Sequence, residues 1–156
     1  AKTQSEGRGT KQRSWVSQEG GLYISIVCPW TNTAQSLVEA LKEPGVLASW
    51  HISVAIILRE LIQDLAPSER PLIKWPNDIY LGTEKCAGIL MQACLANATR
   101  HSEAVIVGIG LNLNQEQFPR DVPATSLRLK TQECYNTNTV ADALTDKFQG
   151  SLSHEN

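Results

Sequence analysis

Between Val46 and Leu65 the apolar residues Leu47, Trp50, Val54, Ile57, Leu58, Leu61 and Leu65 recur at spacings of three and four. That is the period of an amphipathic helix, and Pro67 stops it. Val140, Leu144, Phe148 and Leu152 repeat at four and predict a last helix over Thr139–Leu152. Strand patterns lie between and before them. Gly21–Val27 (GLYISIV) alternates in part and is rich in aromatic and β-branched residues. Leu72–Trp75 and Ile79–Leu81 read as short strand pieces around Pro76, and Gly82–Lys85 as a turn into a strand over Cys86–Leu95. Ala104–Asn114 (AVIVGIGLNLN) is a nearly continuous apolar run of the kind buried on both faces, with glycines where a backbone or ligand can approach. A short helix is expected over Ala34–Leu41, between the breakers Pro29 and Pro44-Gly45. Residues Ala1–Gly21, with only Trp15 and Val16 as apolar anchors, read as a surface loop. Hairpin-paired strands with inserted helices predict an α+β fold of mixed α/β layers, not a doubly wound sheet.

Composition narrows the class. A chain of 156 residues, 42% hydrophobic and 19% charged, closes one core and is short for two. Its 14 basic and 16 acidic residues give a net charge of -2, which leaves no cationic excess for a nucleic-acid backbone. The uninterrupted apolar stretches, such as Val105–Leu113 and Ile52–Leu58, are shorter than the ~20 residues that span a bilayer, so no membrane anchor is expected. Cys28, Cys86, Cys94 and Cys134 form no C-x-x-C pair, which fits a cytoplasmic location. The Asn97-Ala98-Thr99 sequon carries no weight there. With no initiator Met and an end just after a helix, the chain is expected to be part of a longer protein.

Three segments hold candidate chemistry. Lys74-Trp75-Pro76-Asn77-Asp78 puts a cation at the end of a short strand, before a proline that restrains its neighbours and two short polar side chains. A preorganised site needs such stiffness, although an exposed lysine before an ordinary Asn-Asp turn has the same spacing. Gly7-Arg8-Gly9-Thr10-Lys11-Gln12-Arg13 sets three cations on a glycine-hinged loop able to wrap an anion, or simply a solvated basic loop. It lacks the third glycine of a dinucleotide fingerprint. Gly108-Ile109-Gly110-Leu111-Asn112 also fails that fingerprint. Its glycines fit tight strand packing, and the Asn112 amide can both donate to and accept from a base edge. His51, His101 and His154 have no metal-ligand spacing, and no nucleophile signature is present.

In order along the chain, Gln4…Gly7-Arg8-Gly9…Arg13-Ser14-Trp15, the strand Gly21-Leu22-Tyr23-Ile24-Ser25, Lys74-Trp75-Pro76-Asn77-Asp78-Ile79-Tyr80, Lys85…Ala87-Gly88-Ile89-Leu90 and Gly108–Asn112 resemble the motifs of biotin-protein ligases. The resemblance covers Ala1 to about Asn114. It implies the biotin/lipoate ligase catalytic-domain fold, similar to class II aminoacyl-tRNA synthetases, over residues 1–156. A strand upstream and a small barrel domain downstream would be missing. It also implies a two-step reaction, in which biotin and Mg-ATP give biotinyl-5'-AMP and a lysine of a biotin carboxyl carrier protein then takes the biotinyl group.

By the same resemblance Lys74 and Arg8 are catalytic. Gln4, Arg8, Gly9, Thr10, Lys74, Leu22, Tyr23, Gly88 and Ile89 bind biotin, while Arg13, Trp15, Asn77 and Asn112 bind ATP. The metal ligands of Mg2+ are unassigned. A homodimer is expected, with neither a membrane nor a nucleic acid as partner. The family often carries a basic residue where Thr10 stands and a glycine where Gln12 stands, which implies a leakier hold on the adenylate. A lipoate-type ligase and a non-catalytic biotin or adenylate sensor are the competing readings.

Overall fold

The computed structural model describes residues 1–10, 14–31, 35–96 and 103–152. Five strands form one antiparallel sheet in the order β1-β5-β4-β3-β2, where β1 is Leu22–Pro29, β2 Pro71–Lys74, β3 Asp78–Leu81, β4 Glu84–Cys94 and β5 Ala104–Leu111. The helices are α1 (Leu37–Ala40), α2 (Val46–Leu65), α3 (Leu127–Thr131) and α4 (Thr137–Leu152). This is the α+β arrangement that the pattern predicts. Ala34, where the short first helix was expected to begin, lies outside the described residues, and α1 is a single turn closed by a Ser36–Glu39 capping box.

Helices α2 and α4 pack on one face of the sheet and against each other. Val54, Leu58, Leu61 and Ile62 of α2 meet Ile79, Ile89, Val107, Ile109 and Leu111 in a continuous core, with Leu144 and Phe148 of α4. At 20 residues α2 is long and apolar enough to cross a bilayer, contrary to the reading of uninterrupted runs. Its buried face, however, is part of this core, and Arg59, Glu60 and Asp64 lie outside that face.

β5 departs from the expectation of burial on both faces. Val105, Val107, Ile109 and Leu111 are buried, while the alternate positions Ala104, Ile106, Gly108 and Gly110 are only half-buried. Among the described residues no helix covers the second face of the sheet, and there the cavities lie. The β3–β4 hairpin turns at Gly82-Thr83, where Gly82 takes φ 61°, a left-handed conformation that favours glycine. Just beyond it the register slips between Ile79 and Tyr80, so that Ala87 pairs with Ile79 but Lys85 with Tyr80. The extra residue is Cys86, and Cys86 and Ala87 are both buried in sequence. This bulge turns Lys85 onto the same face as Gly88, where simple alternation would have opposed them.

Candidate active site

The uncovered face of the sheet is floored by glycine. Gly88 of β4 pairs directly with Gly110 of β5, and the indole of Trp15 lies on that pair. A methyl group at Gly88 would stand 2.7 Å from the Trp15 ring, and one at Gly110 would stand 2.6 Å from it. The approach that the glycines permit is thus made by a side chain of the N-terminal loop. That loop folds back on itself. Trp15 N–H donates to the Gly7 carbonyl at 2.8 Å, Ser17 Oγ donates to Gln4 Oε1 at 2.6 Å, and Arg8 bridges to Ser14. A side chain at Gly7 would collide with the Trp15 carbonyl at 2.4 Å, which explains that glycine. The Trp15 Nε1–H is buried and has no hydrogen-bond partner among the described residues, a donor left over inside the site.

Two cavities flank Trp15. The smaller, of about 210 Å³, is lined by Gln4, Arg8, Tyr23, Gly88, Leu90 and Gly108 among others. The larger, of about 580 Å³, opens between the Lys74–Asp78 turn and the Phe118–Ala124 segment, with Asn112 at its base. Gly9, Thr10, Trp15, Asp78 and Lys85 line both and form the shared wall. In that wall Lys85 Nζ stands 2.5 Å from Asp78 Oδ1 and 5.0 Å from the centre of the Trp15 ring. Lys74, at the exposed end of β2, makes no ion pair among the described residues. Its Nζ donates to Tyr80 Oη at 3.2 Å and lies 4.8 Å from that ring. Arg8 likewise pairs with no carboxylate among the described residues. Each cavity therefore has one cation without an ion pair on its lining, Arg8 in the small one and Lys74 in the large one, and the paired Lys85 stands in the wall between them, an arrangement that favours an anion on each side.

The sequence-predicted residues fall into three groups. Gln4, Arg8, Gly9, Thr10, Tyr23 and Gly88 converge on the small cavity, and Trp15, Lys74, Asn77 and Asn112 on the large one. Lys74 lines only the large cavity, so the lysine within the common wall is Lys85. Leu22 lines neither cavity, whereas Ile89 lines the small one. Both alternate with site-facing neighbours, and both belong to the hydrophobic core. Arg13 lies outside the described residues, as do Lys11, Gln12, His101, His154 and the Asn97–Thr99 sequon.

Two of the placed amides already have work within the fold. Asn77 exchanges bonds with Ile89, its Nδ2 donating to the Ile89 carbonyl at 3.1 Å and its own carbonyl accepting from Ile89 N–H at 2.7 Å. Asn112 is only 3% exposed; its Nδ2 donates to the Thr125 carbonyl at 3.0 Å and its Oδ1 accepts from Gln115 Nε2 at 3.2 Å.

Sequence reasoning gave no role to Lys85, Asp78, Gln115 or the Phe118–Ala124 wall. That wall is held by Lys85 N–H donating to the Pro123 carbonyl at 2.8 Å and Thr125 N–H donating to the Lys85 carbonyl at 3.0 Å. The proline-broken composition of the segment signalled only a loop. Tyr23 is 4% exposed, and burial pushes its phenol above the ordinary value, partly offset by the Gln115 hydrogen bond. It stays a neutral donor at physiological pH.

The model of the biotin/lipoate A/B protein ligase family matches residues 1–112. The bifunctional ligase/repressor BirA of Bacillus subtilis is 34% identical over 124 residues, covering 79% of this chain and 34% of that protein. The biotin--[acetyl-CoA-carboxylase] ligase of Paracoccus denitrificans is 35% identical over 116 residues, covering 72% of this chain and 42% of that protein. Among solved structures, the biotin protein ligase of Aquifex aeolicus in complex with biotin and ATP superposes with a TM-score of 0.76 at 26% identity, covering 98% of this chain and 59% of that one. The chain thus spans well under half the length of the curated relatives it matches.

Proposed function

The chain belongs to the biotin/lipoate A/B protein ligase family, and from that premise we propose that it is the catalytic part of a biotin-protein ligase. The reaction joins biotin to ATP and then to a lysine of a biotin carboxyl carrier protein. The observation that carries this reading is the pair of cavities sharing one wall, with Arg8 lining the small cavity, Lys74 the large one and Lys85 the wall between them.

Biotin occupies the small cavity and ATP the large one. A biotin carboxylate oxygen attacks the α-phosphorus, the new C–O–P linkage forms, and the α–β bond breaks with pyrophosphate leaving on its electron pair. Both reactants are anions, so their approach is opposed by repulsion that fixed cations offset. Arg8 acts from the acid side and Lys74 from the nucleotide side. The amine of the carrier lysine then attacks the acyl carbon, forms the amide, loses a proton and releases AMP. The Mg2+ expected with ATP enters as part of the nucleotide substrate, bound chiefly by its phosphates.

The test is pyrophosphate exchange into ATP, run with biotin and with lipoate. Exchange that requires biotin and is not supported by lipoate is the expected result. Exchange with lipoate alone transfers the reading to a lipoate-type ligase, and binding of biotin without exchange identifies a sensor. The homodimer and the carrier partner belong to the same proposal. Sedimentation with and without biotin and ATP tests the first, and mass change of a carrier domain the second.

A further inference from the structure

Between the two cavities runs a buried chain of hydrogen bonds whose central member lines neither of them. Its centre is Gln115, 5% exposed, just past the end of β5. One amide nitrogen, Nε2, donates to Tyr23 Oη at 3.1 Å and to Asn112 Oδ1 at 3.2 Å. Tyr23 lines the small cavity and Asn112 the large one. The direction of every bond is determined. Tyr23 Oη donates its only hydrogen to the Gln18 carbonyl at 2.7 Å, so towards Gln115 it can only accept. Asn112 Nδ2 donates to the Thr125 carbonyl, so its Oδ1 must face Gln115. Turning the Gln115 amide over would set Oε1 against two acceptors at once. Gln115 is itself fixed from behind, where its carbonyl accepts from Ser126 Oγ at 2.6 Å.

Space is cleared for this contact as well. A methyl group at Gly21 would stand 2.3 Å from Tyr23 Oη and 2.6 Å from Gln115 Nε2. The Gln115 Oε1 remains buried without a partner among the described residues, a cost accepted at this position although Met or Leu would fill the same volume without it.

We propose that Gln115 is a positioning residue serving both substrates, holding Tyr23 on the acid side and Asn112 on the nucleotide side through one amide nitrogen. The inference rests on the assignment of the two cavities to biotin and ATP. Gln115→Met keeps the volume and removes both donated bonds, so the Tyr23 hydroxyl loses one of its two hydrogen bonds and the Asn112 amide one of its three. The loss of about one hydrogen bond's worth of positioning at each end is expected to raise KM for biotin and KM for ATP by roughly three- to tenfold each, with kcat changed less.

A merely structural role gives a different signature: fewer folded molecules, hence a lower apparent kcat, with both KM values unchanged. The decisive experiment measures both KM values, kcat and the thermal midpoint for the full chain carrying Gln115→Met, Tyr23→Phe and the two together, by biotin-dependent pyrophosphate exchange. The expected outcome includes non-additivity, because once Gln115 is gone Tyr23→Phe has less left to disturb. If either KM stays at its wild-type value in Gln115→Met, the shared role is overturned. Should Gln115→Met fail to fold, Tyr23→Phe decides by itself, since it removes the acceptor with little change of volume: an unchanged KM for biotin overturns the proposal. Absence of exchange in the wild-type chain refutes the functional reading and this inference with it, whereas normal wild-type exchange with unchanged KM values in the variants refutes only the inference.

Discussion

The two faces of the sheet are built from the same strands to opposite ends. On the helix side Ile79, Ile89, Val107, Ile109 and Leu111 are at most 3% exposed and interlock with α2 and α4. On the other side the corresponding alternate positions are Gly88, Gly108 and Gly110, and what fills the space is the indole of Trp15, a loop and an ion pair. One face is closed by side chains of the sheet itself; the other is left thin so that something else can occupy it. The comparison teaches that stability and binding are separated by strand parity, one residue apart along β5.

Four substitutions probe that separation. The largest effect is expected from Lys74→Ala, which removes an exposed cation from the open side. Adenylation should fall by roughly two to three orders of magnitude, as loss of one transition-state donor does, with the thermal midpoint nearly unchanged. Stopped-flow or coupled measurement of pyrophosphate release reads it, and release close to the wild-type rate would remove Lys74 from the reaction. Leu111→Ala, on the closed side, should do the reverse. A fully buried leucine cut to alanine lowers stability by about 2–5 kcal/mol, visible in urea denaturation, while turnover per folded molecule is retained.

Gly110→Val, one residue away but facing the cavities, should lift Trp15 from its seat. Overpacking costs on the order of 1–3 kcal/mol, expected here as a ten- to hundredfold loss in nucleotide affinity by calorimetry, and unaltered affinity would show that the Trp15 seat is not used. The smallest effect concerns the bulge. Burial pushes the Cys86 thiol from 9.0 to about 12, so the folded state holds its proton where the unfolded chain releases it. The corresponding stability is complete below pH about 9 and is lost as pH rises towards 12, about 1 kcal/mol being gone near pH 10. Cys86→Ala should therefore show a shallower alkaline fall of the thermal midpoint than the wild type, and parallel curves would contradict the assignment.

Much of this arrangement was legible beforehand because local rules governed it. The three-and-four spacing of α2, the four-residue spacing of α4 and the turn at Gly82 each follow from side chains close in sequence. Gln4, Arg8, Trp15, Tyr23, Lys74 and Gly88, which the family resemblance grouped as site residues, line two adjoining cavities. Leu22 was grouped with Tyr23 as a pocket wall because a motif is read as contiguous letters, whereas a strand sends adjacent side chains to opposite faces. The double burial expected for β5 missed the open face for a related reason: half-buried Ile106 and the glycines look as apolar in sequence as the core positions beside them.

By itself, then, the sequence determined the elements, their breaks, and the glycines that let an aromatic ring and a hydroxyl come close, since these depend on periodicity and on the absence of a Cβ. Only the tertiary structure decided which cation stands in the common wall and what steadies the site from behind. A single extra residue at Cys86 reverses the facing of Lys85 and brings it to Asp78. Gln115 meets Tyr23 from 92 positions away. Register and long-range contact are set by the packing of the whole sheet, and no window of neighbouring residues contains them.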